Sequence, residues 1–125
     1  MWLIKRIAAL QSHATSNAMT FVQYAAVSAL QGKADNDVNK MVNTFARRRE
    51  LLCELLKDIP QIDFIEPKGA FCVICNINRT GKTVEEFAEE LLEKKLVTVI
   101  PCTAFGAPDY IRLSYACSEE QIKKL

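Results

Sequence analysis

The sequence predicts an α/β fold, an α+β sandwich in which a small mixed sheet packs on helices. Three observations carry that expectation. From about residue 36 onward the local patterns run helix, strand, strand, helix, strand, strand, helix. Two capping boxes, Thr83 to Glu86 and Ser118 to Gln121, open helices directly after loops. A chain of 125 residues, 50% apolar and 25% charged, can close one core without metal or disulfide staples.

The first element is a helix from Met1 to about Gln11, after which Thr15-Ser16-Asn17 offers capping residues for a second helix running to Gly32. Between Phe21 and Leu30 only Gln23 and Ser28 are distinctly polar, so apolar side chains point in nearly every direction. A small domain rarely covers such a helix on all sides, and the segment is expected to pack on another domain or subunit. The polar break from Gln31 to Asp37 carries Gly32, and the main boundary falls there: residues 1–35 are a helical segment and residues 36–125 the domain that follows.

That domain opens with a long amphipathic helix. Val38, Met41, Val42, Phe45, Leu52, Leu55, Leu56 and Ile59 keep the three-and-four spacing, Arg47, Arg48 and Arg49 fall largely off the stripe as a solvated face, and Pro60 ends it. A short strand spans Ile62 to Ile65, a turn lies at Pro67-Lys68-Gly69, and a longer strand runs from Ala70 to Ile77. The Thr83 box then starts a helix through Leu92, with Lys94 and Lys95 suited to its negative end. A strand from Leu96 to Ile100 stops at Pro101, a loop leads to the strand Tyr110 to Ala116, and a last helix has barely begun at Leu125.

Charge and cysteine usage exclude several functions. Sixteen basic residues nearly balance fifteen acidic ones, which gives nucleic acid no electrostatic reason to bind. Lys5 and Arg6 interrupt the only early apolar run, and Phe21 to Leu30 is too short to span a bilayer, so neither signal peptide nor membrane span is expected. Five cysteines are an odd number, and a reducing cytoplasm is the expected setting. Cys72 and Cys75 fall three apart on a strand, where their sulfurs face opposite ways and can neither bridge nor share a metal. The single His13 supports no Ser/His/Asp set, and the chain has no Gly-rich phosphate loop.

One arginine stands out. In Tyr110-Ile-Arg-Leu-Ser-Tyr-Ala116 alternation puts Ile111, Leu113 and Tyr115 on one face and Arg112 with Ser114 on the other. Guanidinium is a planar fork that holds a carboxylate through two parallel hydrogen bonds, so Arg112 beside apolar walls suits an acid-bearing ligand. A solvated or salt-bridged strand arginine is the common alternative, and from this segment alone the more frequent one. Gly69 at the start of Gly69-Ala70-Phe71 permits a ligand to approach the backbone or simply makes a turn, and the loop holding Phe105 and Gly106 has the same two readings.

Taken in order, QSHATSN at 11 to 17, QYAAVSAL at 23 to 30, RRRELLCELL at 47 to 56, PKGAF at 67 to 71, VIPCTAFG at 99 to 106 and YIRLSYACS at 110 to 118 resemble the C-terminal part of class I/II aminotransferases, nearest to the aspartate aminotransferase group. The resemblance covers essentially the whole chain. It implies the small domain of a fold-type I enzyme that uses pyridoxal phosphate, a homodimer, and amino-acid and 2-oxo-acid substrates. It makes Arg112 the grip on the substrate α-carboxylate, with Gly69, Ala70, Phe71 and Phe105 beside the substrate on closure. The cofactor's Schiff-base lysine and its other contacts are implied to lie upstream in a large domain, to which the first two helices join the small one. Lys5, set in an expected helix, is no substitute, so this chain by itself is expected not to transaminate. A stand-alone binding or oligomerisation module of the same fold is the rival expectation. Cys102 occupies a position where the family usually has glycine, and a strained loop is expected there if that position needs a positive φ.

Overall fold

The computed structural model describes residues 1–124. The chain divides into two compact units, Met1–Lys40 and Met41–Leu125. The first holds helices α1 (Trp2–Ala14) and α2 (Thr20–Leu30) and the start of α3 (Asp35–Lys57). None of the residues in this unit is buried: Trp2, Leu10, Phe21 and Tyr24 are each about two-thirds exposed or more.

The capping residues act one element earlier than expected. Thr15 ends α1, its hydroxyl donating to the Gln11 carbonyl at 3.1 Å, and Ser16 then turns left-handed at φ 54°. Helix α2 begins after Met19 with no side-chain cap. The reason is local: a threonine hydroxyl four residues beyond a carbonyl completes the turn behind it before it can serve the amides ahead.

The second unit is a four-stranded sheet with helices on one face. The strands are β1 (Asp63–Ile65), β2 (Cys72–Asn76), β3 (Ile100–Pro101) and β4 (Tyr110–Ser114), in the spatial order β1-β2-β4-β3. The fold class is the expected one, but the pairings are all antiparallel among the described residues, where a mixed sheet was expected. The last strand explains this. It enters between β2 and β3 and runs against both, so strands that share a direction, β2 with β3 and β1 with β4, are never neighbours. Strand β3 is also shorter than expected, because Leu96 adopts φ 57° and closes helix α4 (Val84–Lys95), its amide donating to the Leu92 carbonyl at 3.1 Å.

Alternation on β2 and β4 sorts the side chains. Val73, Cys75, Ile111 and Leu113 point into the core, joined by Tyr115 and Ile77 beyond the strand ends. Helix α3 supplies Leu52 and Leu56, α4 begins with Val84, and α5 (Glu119–Ile122) contributes Ile122, which is fully buried. Burying a side chain of this size contributes about 1.5–3 kcal/mol. The N-terminal part of the α3 stripe, Val38, Met41 and Val42, stays about half exposed. The Arg triplet is less solvated than its spacing suggested: Arg47 is exposed and reaches Glu119 at 3.5 Å, whereas Arg48 and Arg49 are half-buried and Arg48 lies over Phe45.

Both capping boxes form. The Glu86 amide donates to Thr83 Oγ1 at 3.2 Å while the Thr83 amide donates to the Glu86 carboxylate at 3.0 Å, and Ser118 and Gln121 repeat the exchange. The bond from the Thr83 amide is the main reason the Glu86 carboxyl sits below its ordinary value. Thr83→Ala is expected to lower stability by about 1 kcal/mol, read from urea unfolding at neutral pH. A depressed carboxyl stabilises the fold fully above its ordinary value and loses that effect as pH falls through the lowered one. Thr83→Ala keeps the amide bond but removes the 2.9 Å bond from the Thr83 hydroxyl to the Glu86 carboxylate, so its deficit should shrink toward acid pH; a deficit that stays constant would exclude that hydroxyl bond.

Candidate functional site

Strand β4 is central, and that position shapes everything near Arg112. The arginine lies opposite Ile74 of β2 on one side and Ile100 of β3 on the other, both about 40% exposed. It sits on the face turned away from the helices, half-buried between these two apolar neighbours. Its guanidinium carbon is 5.9 Å from the centre of the Phe105 ring, a cation–π distance. Among the described residues no hydrogen bond or ion pair engages the guanidinium. A guanidinium fork of this kind can make two parallel hydrogen bonds to a carboxylate or a phosphate.

Phe105 is held by its loop. The segment Thr103–Phe105 forms one turn of 3-10 helix, closed by Gly106 at φ 78° and tied to α4 by a 2.7 Å bond from the Thr103 hydroxyl to Glu85. Cys102 precedes it at φ −93°, buried and unstrained, so the expected strain at this position does not arise. The thiol simply fills the core beside the turn.

Gly69, Ala70 and Phe71 lie at the other end of the same strand pair. All three are exposed, and a Cβ placed on Gly69 would meet nothing within 4 Å. The left-handed residue is Ala70, at φ 62°, not the glycine. The loop is bound to β4 from behind: the Tyr115 amide donates to the Phe71 carbonyl at 2.9 Å, and the Tyr115 hydroxyl reaches the carbonyls of Ala70 at 3.2 Å and Gly69 at 3.4 Å. Thus Arg112 and Phe105 are brought together, while Gly69 to Phe71 stand about three strand residues away, roughly 10 Å along the ladder. Sequence reasoning took Tyr115 for core alone. A tyrosine on a buried face was the available signal, since its hydroxyl needs a polar partner.

The family model for aminotransferase class I and II matches residues 2–125, and the chain belongs to that family. It is 43% identical over 122 residues to the "Probable aspartate/prephenate aminotransferase" of Aquifex aeolicus, a match that takes in 94% of this chain and 31% of the relative. It is 42% identical to the aspartate aminotransferase of Pyrococcus horikoshii, over 96% of this chain and 32% of that one. The aromatic aminotransferase structure from Pyrococcus horikoshii superposes with a TM-score of 0.88 at 34% identity, over 98% of this chain and 34% of the other. The chain thus spans about a third of the length of the relatives it matches.

Membership implies pyridoxal phosphate in the parent family, and the residues here can be tested against it. Covalent attachment needs an enclosed, deprotonatable lysine. Every described lysine of this chain is exposed, so none of the described residues fits the covalent attachment of that cofactor. Nor do they gather three His, Cys, Asp or Glu side chains for a metal ion, among the described residues.

The cysteines divide by burial. Cys72 and Cys75 do face opposite ways, Cys72 half-buried on the open side and Cys75 in the core. Burial pushes the Cys75 thiol up to about 12, and burial also raises Cys53. All five are free. Iodoacetamide at pH 7.5 is therefore expected to label Cys72 and Cys117 at least tenfold faster than Cys53, Cys75 and Cys102, followed by peptide mass spectrometry; equal rates would contradict the packing.

Proposed function

We propose that this chain is the small-domain portion of a pyridoxal-phosphate-dependent aminotransferase of the aspartate type, and that Arg112 binds the α-carboxylate of the amino-acid and 2-oxo-acid substrates. The observation that carries the reading is a half-buried arginine on a central strand with apolar neighbours and no internal acid partner. Desolvated guanidinium is stabilised only when an anion completes it, and a carboxylate matches its fork. A related aspartate aminotransferase from Thermus thermophilus, 36% identical with a TM-score of 0.84, was solved with maleate, a dicarboxylate.

The chain's own residues then have divided tasks. Arg112 binds and orients the carboxylate, Ile74 and Ile100 exclude water beside it, and Phe105 steadies the guanidinium plane. The cofactor supplies the electron sink for exchange of the amino group, and the lysine that holds it belongs to the rest of the parent polypeptide. By the same reading the 125-residue chain alone does not transaminate. Residues 1–35 join the small domain to the large domain and the dimer interface, in a reducing cytoplasm where the five thiols stay free.

Two measurements test this. In the full-length enzyme, Arg112→Lys keeps the charge but loses the paired bond, and kcat/KM for amino acid and oxo acid alike should fall about tenfold to hundredfold. An unchanged value removes the role. The 125-residue chain, with Trp2, Phe21 and Tyr24 bare, should self-associate as concentration rises, seen by light scattering; a strictly monomeric chain at all concentrations would favour the stand-alone module instead.

A further inference from the structure

We infer that the cleft between α3, α4 and the inner face of the sheet is a binding site for a small uncharged apolar molecule, a single aromatic ring with a short alkyl arm. The inference does not involve Arg112, and either reading can fail without the other.

The cleft holds about 300 Å³. Its floor is Cys75 of β2 with Ile111 and Leu113 of β4, one wall is Leu56 of α3, and the other is Phe87 and Leu91 of α4. Among the described lining residues only Ile59 and Gln61 are exposed, so the mouth lies just past the end of α3. Behind that mouth the floor is almost wholly shielded: Cys75 is 1% and Ile111 2% exposed.

The chemistry of the lining selects the ligand. None of the described lining side chains carries a charge. The Thr80 hydroxyl already donates to the Ile77 carbonyl at 2.8 Å, and burial pushes the Cys75 thiol up to about 12, so it stays protonated. Water inside would find few of the partners it needs, and a peptide segment would bring amides for which the floor and walls offer no strong partner. An apolar cavity of about 150 Å³ takes up benzene. The larger space here has room for a substituted ring, with Phe87 as an aromatic neighbour for its face or edge.

Toluene added to the 125-residue chain is the test. In methyl NMR spectra Leu56, Leu91, Val97 and Ile111 should shift together with a Kd of about 0.1–1 mM. Val73 and Ile122, buried but outside the cleft, should stay in place. Ethylbenzene, longer by one methylene, should bind about threefold to fourfold tighter, and benzoate at least tenfold more weakly at these methyls, since the lining has no cation for it. Leu91→Trp fills the cleft and should abolish the toluene shifts; if that variant folds poorly, the comparison of toluene with benzoate decides without it. The same four methyls should respond in the full-length enzyme. Loss of the response there would make the cleft a contact face for the rest of the polypeptide and overturn the inference. So would equal binding of toluene and benzoate, or toluene shifts confined to the exposed side chains of α1 and α2.

Discussion

The pairing of β2 with β4 is the constraint on which the rest depends. Five residues on each strand face one another, from Cys72 with Ser114 to Asn76 with Tyr110. Because side chains alternate, this single register decides that Val73, Cys75, Ile111 and Leu113 enter the core and that Ile74 and Arg112 share the open face. A slip by one residue would bury a guanidinium without a partner, which is among the costliest errors a core can contain. The same alternation that builds the core thus delivers the arginine to the surface where it can meet an anion.

Around that pair the molecule is stiff in some places and open in others. Helices α4 and α5 start with reciprocal side-chain and backbone bonds, and the Thr103–Glu85 bond fastens the Phe105 turn to the start of α4. Opposite these lies an apolar cleft of about 300 Å³ between α3, α4 and the inner sheet face, lined by Leu52, Leu56, Phe87, Leu91 and Val97 among others. The first unit leaves its aromatic and aliphatic side chains bare. Contiguous exposed apolar surface is a mark of protein contact faces, and the chain spans about a third of its relatives' length.

Much of this was legible beforehand. The order of elements, both capping boxes, the face of Arg112 and the opposed sulfurs of Cys72 and Cys75 all follow from spacing, because period and capping chemistry are local properties. Where local signals competed, reading failed. Thr15 had a carbonyl behind it and amides ahead, and the nearer turn won. Leu96 reads as the first residue of an apolar strand yet closes a helix in a left-handed conformation, a choice decided by the chain reversal that brings Val97 to the Leu91 carbonyl.

By itself the sequence determined the order of helices and strands, the apolar stripe of α3 and the family to which the motifs belong, since these depend on residues within a few positions of each other or on matched patterns. Only the tertiary structure decided that β4 lies between β2 and β3, that the pairings there are antiparallel, and that the strain in the PKGAF turn falls on Ala70. The Tyr115 hydroxyl meets carbonyls 45 and 46 positions away in the chain. No local pattern records such a contact, because its partners are neighbours only after the sheet has formed.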